Sequence, residues 1–274
     1  MQENIIQSLL INIASDIFSW FLIAFMSVLI VRFLFIGHYH RIRKFFGLVG
    51  KSDRLIIYFS SLLTHGKLSD RYGKKYDLPV LTLVADEIET LSLLSRFIYT
   101  DPLRWLPDDS QKFFQGYWAF RPIEVAPVSS PLLETDLEFD SMLIIGGPLF
   151  NSASKYFQEN GLSHLKFTNT SLSKENISIE VTKGKQKGQH LRVSRENHLG
   201  VIERIIDDEH HTTAIWIAGI SSQDTKSTVQ YFIQNQDNII KKYSNANKPF
   251  AICVSLEADS KNRAMPNVIY RWPE

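Results

Sequence analysis

DSMLIIGGPLFNSASKYFQENG, Asp140 to Gly161, is the stretch that sets the fold of this chain. The unbroken apolar run SMLII reads as a strand buried on both faces, and Gly146-Gly147-Pro148 turns the chain sharply behind it. From Leu149 onward apolar residues recur at helical spacing, and Gly161 stands where a helix C-terminal cap belongs. Strand, glycine turn and helix make one α/β unit, and the pattern recurs on both sides of it. LIIYFS at Leu55–Ser60 is a second doubly buried strand. Residues 85–99 follow with Ile88, Leu91, Leu94 and Ile98 at helical spacing behind Asp86, Glu87 and Glu89. Downstream, LGVIERII (Leu199–Ile206), the charged turn DDEHH, TAIWIAG (Thr213–Gly219), the loop ISSQD, a helix over about 225–235 and Phe250–Leu256 complete the series. Ile177–Thr182 and His190–Val193, joined by KGKQKG at Lys183–Gly188, read as an antiparallel hairpin. Continuously apolar strands alternating with helices predict an α/β architecture with a mainly parallel, twisted, Rossmann-like sheet, in one domain over 45–274. Residues 100–139 hold five of the ten prolines around FFQGYWAF (Phe113–Phe120). They read as an irregular insertion or lid, its aromatics forming a private core.

Upstream, Ile17–Ile36 is IFSWFLIAFMSVLIVRFLFI, twenty residues carrying one charge, Arg32. At about 1.5 Å per residue it matches a hydrocarbon core of ~30 Å, and Arg32, a turn from the end, can snorkel. It predicts one transmembrane helix within a unit spanning 1–44. His38, His40, Arg41, Arg43 and Lys44 follow the span while Glu3 and Asp16 precede it. The N-terminus is therefore expected outside and the C-terminal domain in the cytoplasm, at the inner (plasma) membrane, with lipid as a partner. A cleaved signal peptide would want basic residues before the run and a small-residue site after it, and neither is present. The apolar pattern extends back to Asn4, so one helix is expected over about 4–44. Along it Ser8, Asn12, Ser15, Ser19, Ile23 and Ser27 form a mostly polar stripe, with Asp16 at its outer mouth. The stripe either mediates tight helix contacts, its hydroxyls bonding back to the backbone, or lines a watery path between copies; both versions predict a homo-oligomer.

Thirty basic against 29 acidic side chains, a net charge of +1, do not announce a nucleic-acid binder, so any site for a charged ligand must be local. The single cysteine, Cys253 in FAICVSL, excludes an intramolecular disulfide and reads as a buried structural thiol. Three strands end in small or polar residues: Ser60 and Ser61; Gly146, Gly147, Asn151 and Ser152; and Gly219, Ser221, Ser222, Asp224, Thr225 and Lys226. In an open α/β sheet such ends line the ligand crevice, and glycines, hydroxyls and helix starts suit a phosphate. Taken singly they are also ordinary turn and capping residues. Lys183, Lys185, Lys187 and Arg192 form the dense basic stretch of the domain. It is either a solvated turn or, folded over the crevice, a source of anion contacts. No phosphate loop, dinucleotide fingerprint, zinc-protease or nucleophile-elbow signature occurs. No cofactor and no metal are expected, the His210-His211 cluster reading as a solvated hairpin tip.

A single helix ahead of an α/β domain carrying IIGGPLFNSAS and WIAGISSQDTKSTVQYF resembles the Rossmann-like sensor domains of prokaryotic antiphage membrane effectors, among them the Hailong channel effectors. The resemblance implies a tetrameric or similar channel gated by a nucleotide or short oligonucleotide, made by a partner nucleotidyltransferase. A membrane-tethered enzyme of nucleotide or NAD chemistry, with Asp224 or Glu203 as acid/base, is the alternative, as is a tethered adaptor. The enzyme reading lacks a nucleophile–base pair.

Overall fold

The computed structural model describes residues 16–27, 29, 37, 39–48, 54–59, 62–69, 75–82, 89–90, 92–94, 98, 124–128, 132, 137, 141–149, 151–168, 177–192, 197–243, 248–257 and 265–273. Seven strands make the main sheet, in the order β12-β11-β9-β10-β5-β1-β4. They are β1 (Arg54–Phe59), β4 (Glu124–Val128), β5 (Ser141–Ile145), β9 (Asn197–Asp207), β10 (Thr212–Gly219), β11 (Phe250–Glu257) and β12 (Met265–Trp272). A separate hairpin pairs β2 (Leu62–Ser69) with β3 (Lys75–Thr82), and β6 (Leu165–Thr168), β7 (Ser178–Val181) and β8 (His190–Arg192) form a small antiparallel sheet.

The α/β class holds, and the sheet is mixed. β4, β1, β5 and β10 run parallel, whereas β9 is antiparallel to both β10 and β11, and β12 is antiparallel to β11. Continuous apolarity marks burial on both faces, and a hairpin covered on both sides, as β9–β10 is, satisfies that as well as a parallel pair. β4 corrects the expectation of irregular chain up to residue 139. EVAPV is an edge strand in register with β1, where Pro127 is tolerated because an edge leaves one side of the backbone unpaired.

Alternation along each strand sorts the core into two. Leu55, Ile57, Leu143, Ile145, Ile202, Ile215, Ile217, Phe250 and Ile252 face one way. The helix α2 (Ser222–Lys242) covers them with Val229, Phe232, Ile239 and Ile240, joined by Leu94 and Ile98 and by a short helical neck, 39–45, that inserts Tyr39, Ile42, Phe45 and Phe46. The other face, with Tyr58, Ile144, Val201 and Trp216, lies under α1 (Ser152–Glu159) and the small sheet, through Ala153, Phe157, Leu165, Phe167, Ile179 and Val181. The domain is thus three layers deep. Cys253 is buried and its thiol is pushed far up by desolvation, as befits a structural residue. At the free edge, Cys253 pairs Tyr270 and Val254 pairs Val268, so Ile269 is an extra residue bulged out of β12 and left 45% exposed.

The N-terminal apolar run behaves unlike the rest. Residues 16–27 are helical, and Ile17, Phe18, Trp20, Phe21, Leu22, Ile23, Phe25 and Met26 are all exposed. Among the described residues no helix is long and apolar enough to cross a membrane; residues 28 and 30–36 of the run lie outside them. Ser8, Asn12 and Ser15 do too, while Asp16, Ser19 and Ser27 are exposed on the helix. Ser27 donates its hydroxyl to the Ile23 carbonyl at 2.7 Å. Of the basic cluster, Arg41 and Lys44 are exposed and Arg43 is fully buried in the neck.

Candidate functional site

The chain leaves β5 for α1 on one face of the sheet and leaves the adjacent parallel β10 for α2 on the other. Neighbouring strands whose connections diverge open a crevice at their carboxyl ends, the usual ligand position in such sheets. Gly146, at φ 105°, makes the turn there; its N–H donates to the Ile217 carbonyl, and its own carbonyl accepts from the Trp216 indole at 2.9 Å. A side chain on Gly147 would come to 3.7 Å from the Gly219 carbonyl, so the two glycine loops meet. Gly219 is crowded from the other side, for a Cβ on it would fall 2.3 Å from the Thr225 backbone nitrogen.

The structure thus brings the Gly146–Gly147 turn against Gly219, but capping takes up most of the polar atoms around them. Asn151 is buried, caps α1 through Ala153 and Ser154, and donates to the Ile145 carbonyl at 2.9 Å. Ser152 accepts from the Leu132 N–H. Ser221 and Asp224 form a capping box, and the Thr225 hydroxyl lies between the Gly219 N–H and the Ser221 carbonyl. Ser222 is partly buried in the first turn of α2. Lys226 is paired with Glu89 at 2.6 Å. Ser60 and Ser61 lie outside the described residues. Sequence reasoning missed His198. Its Nδ1 sits 2.9 Å from the Asp224 carboxylate, so a titratable ring stands beside the start of α2. The Ser221 hydroxyl bonds to Asp224, and His198 bonds to the same carboxylate, so these three residues make no serine–histidine pair.

The basic turn lies elsewhere. Lys183 donates to the Leu162 carbonyl, and Gly184 packs against Trp272 and His164, on the β12 side of the sheet. Lys185, Lys187 and Arg192 are exposed around it. The turn and the β5–β10 crevice are therefore not brought together.

Beneath that turn is a second polar cluster. Glu203, fully buried on β9, meets the Ser163 hydroxyl at 2.9 Å and the N–H groups of His164 and Leu165. Ser163 has one hydroxyl proton and also approaches the Leu165 carbonyl, so a protonated Glu203 donating to Ser163, which donates to Leu165, satisfies all three groups. Burial agrees, pushing the Glu203 carboxyl up to about 7 against the hydrogen bonds that would lower it. His164 stacks on Trp272 at 4.3 Å and reaches the Tyr270 hydroxyl. Burial, helped by nearby Lys183, pulls it down to about 4. Its Nδ1 meets no hydrogen-bond partner among the described residues. With both groups buried, the cluster fastens the small sheet to β9.

Among the described residues no group of three acidic, histidine or cysteine side chains is placed to hold a metal ion. In comparisons with known proteins, no family model, no curated protein and no solved structure matches this chain.

Proposed function

We propose that this chain is an oligomeric membrane effector whose apolar N-terminal helix inserts in a bilayer as part of a pore, gated by a nucleotide or short oligonucleotide at the β5–β10 crevice. The observation that carries it is the helix 16–27, in which Ile17, Phe18, Trp20, Phe21, Leu22, Ile23, Phe25 and Met26 are all exposed beside a stripe that holds Asp16, Ser19 and Ser27. A broad exposed apolar face wants an apolar surrounding and marks an interaction surface, whereas the polar stripe beside it wants water or another helix. The glycine loops that let backbone approach a ligand support the binding half of the reading. Gating requires that the ligand bind the open and closed arrangements with different affinity. Antiphage defence, with a nucleotidyltransferase making the ligand, is the setting that the sequence resemblance suggests.

The test is reconstitution of the full chain in vesicles, with flux measured for wild type and for the variants Asn12→Leu and Ser19→Leu. Conductance that disappears in both, while the proteins stay membrane-bound and folded, supports a pore lined by the stripe; undiminished conductance, or none in wild type under any nucleotide, overturns it.

A further inference from the structure

We propose that His198, held by Asp224, is the phosphate contact of the crevice: its Nδ1–H donates to the Asp224 carboxylate, and the protonated ring offers its Nε2–H to a ligand phosphate oxygen. The inference rests on the crevice reading above and adds to it the residue and the charge state that bind.

A phosphate needs donors or positive charge, and the backbone at the start of α2 has few to spare. The Asp224 N–H is taken by the Ser221 hydroxyl, the Thr225 N–H by the Ser221 carbonyl, the Gly219 N–H by the Thr225 hydroxyl and the Ser221 N–H by Asp224. The fixed cations are also committed. Lys226 pairs with Glu89, and Lys183, in the turn between β7 and β8, donates to the Leu162 carbonyl. His198 is the titratable ring left here among the described residues. Gly200 lies two residues along β9, facing Thr228 of α2, so alternation puts His198 on that same face at the strand end. Its side chain is 36% exposed while Asp224 is 9% exposed: the carboxylate is the inner partner that orients the ring, and the imidazole is the outer one that a ligand can reach.

Charge sets the direction of the pH effect. With a neutral ring the pair is anionic and repels phosphate; with a protonated ring it is neutral and gains a donor. α2 places Asp224 against the ring, and the charged side chain next along its first turns, Lys226, is paired with Glu89. β10 ends in the uncharged Gly219, followed by Ile220, and β11 brings Glu257 in register with Asn197. Affinity for a phosphate should therefore rise as pH falls.

The experiment is calorimetric titration of the full chain in detergent with inorganic pyrophosphate from pH 5.5 to 8.5, for wild type and His198→Gln. Their difference cancels the titration of the probe itself. Supporting results are a wild-type affinity at least tenfold above that of the variant at pH 5.5, with the two converging by pH 8.5. Equal affinities for wild type and His198→Gln at every pH overturn the role of His198 and leave the crevice standing. Loss of binding only in the triple variant Lys183→Gln, Lys185→Gln, Lys187→Gln overturns it in favour of the basic turn. No pyrophosphate binding by any form overturns both the contact and the crevice.

Discussion

Glu203 and Arg204 are consecutive residues of β9 and are buried on opposite faces of the same sheet. The carboxyl fastens the Ser163–Leu165 segment, and with it the small sheet. The guanidinium donates to the carbonyls of Phe45 at the neck, Tyr243 at the end of α2 and Lys248 before β11, lying 4.7 Å over the Phe45 ring. One strand therefore anchors both outer layers, and the layer that carries the apolar helix hangs on Arg204.

Replacing Arg204 with Met leaves buried carbonyls without donors while removing the burial cost of the charge. The expected net loss is about 2–4 kcal/mol. Hydrogen exchange of the full chain should show protection falling first at the neck and at the end of α2, ahead of β5 and β10. A uniform loss across the sheet would contradict an anchoring role.

Glu203→Gln should remove the part of the stability that is lost as pH rises. Wild-type Glu203 is raised to about 7 in the fold against 4.5 unfolded, so its contribution is complete below pH 4.5 and is lost as pH rises through 7. Each pH unit in that window costs about 1.4 kcal/mol for one proton. The amide imitates the protonated acid, so the variant should match wild type near pH 5 and exceed it at pH 8 by about 2–3 kcal/mol, read by thermal or chemical unfolding.

His164 runs in the opposite direction. Lowered to about 4, it contributes above its unfolded value of 6.5, and that contribution is lost as pH falls through 4. Between pH 4.5 and 6.5 the two slopes cancel, so wild type is expected to be flat there. His164→Phe should then lose stability with rising pH, and Glu203→Gln should gain it. Parallel curves for the two variants would defeat the assignment.

Gly200→Ala and Gly219→Ala separate two kinds of crowding. On Gly200 the added carbon meets the Thr228 side chain, 1.9 Å from its hydroxyl, whereas on Gly219 it meets the Thr225 backbone at 2.3 Å. Each should cost about 1–3 kcal/mol. Thr228→Ala should partly rescue the first, and no side-chain change at Thr225 should rescue the second. Pyrophosphate affinity should fall only with Gly219→Ala, which displaces the start of α2.

Strand positions were legible where burial is two-sided: LIIYF, SMLII and TAIWIAG need no context to read as core strands. Met265–Trp272 was not, because an edge strand with a bulge and exposed Asn267, Ile269 and Arg271 has no continuous apolar signature. Leu62–Ser69 and Lys75–Thr82, mixed in composition, gave no signal that they pair. Strand direction was hidden for a related reason. Cover on both faces, not parallel pairing, makes a strand apolar throughout, so β9 looked like its parallel neighbours. α2 runs beyond the expected end near 235 because Ile239, Ile240 and Tyr243 pack on the core, a tertiary reward that the local polar sequence QNQDN conceals. At the candidate site the glycine turns could be read directly. His198 could not, since a lone histidine at a strand start acquires meaning only when a helix residue 26 positions later folds back on it.

Both borders of the main sheet resist copying. β4 ends the ladder with a strand containing Pro127, which has no N–H to donate, and β12 ends it with the bulge at Ile269. A second molecule finds no flat, regular edge of the main sheet to continue, so the domain can be concentrated without neighbouring main sheets pairing edge to edge. The exposed apolar residues of helix 16–27 are then the surface expected to stick. Clumping of the full chain out of detergent should yield to shielding that helix, with β-structure content left unchanged.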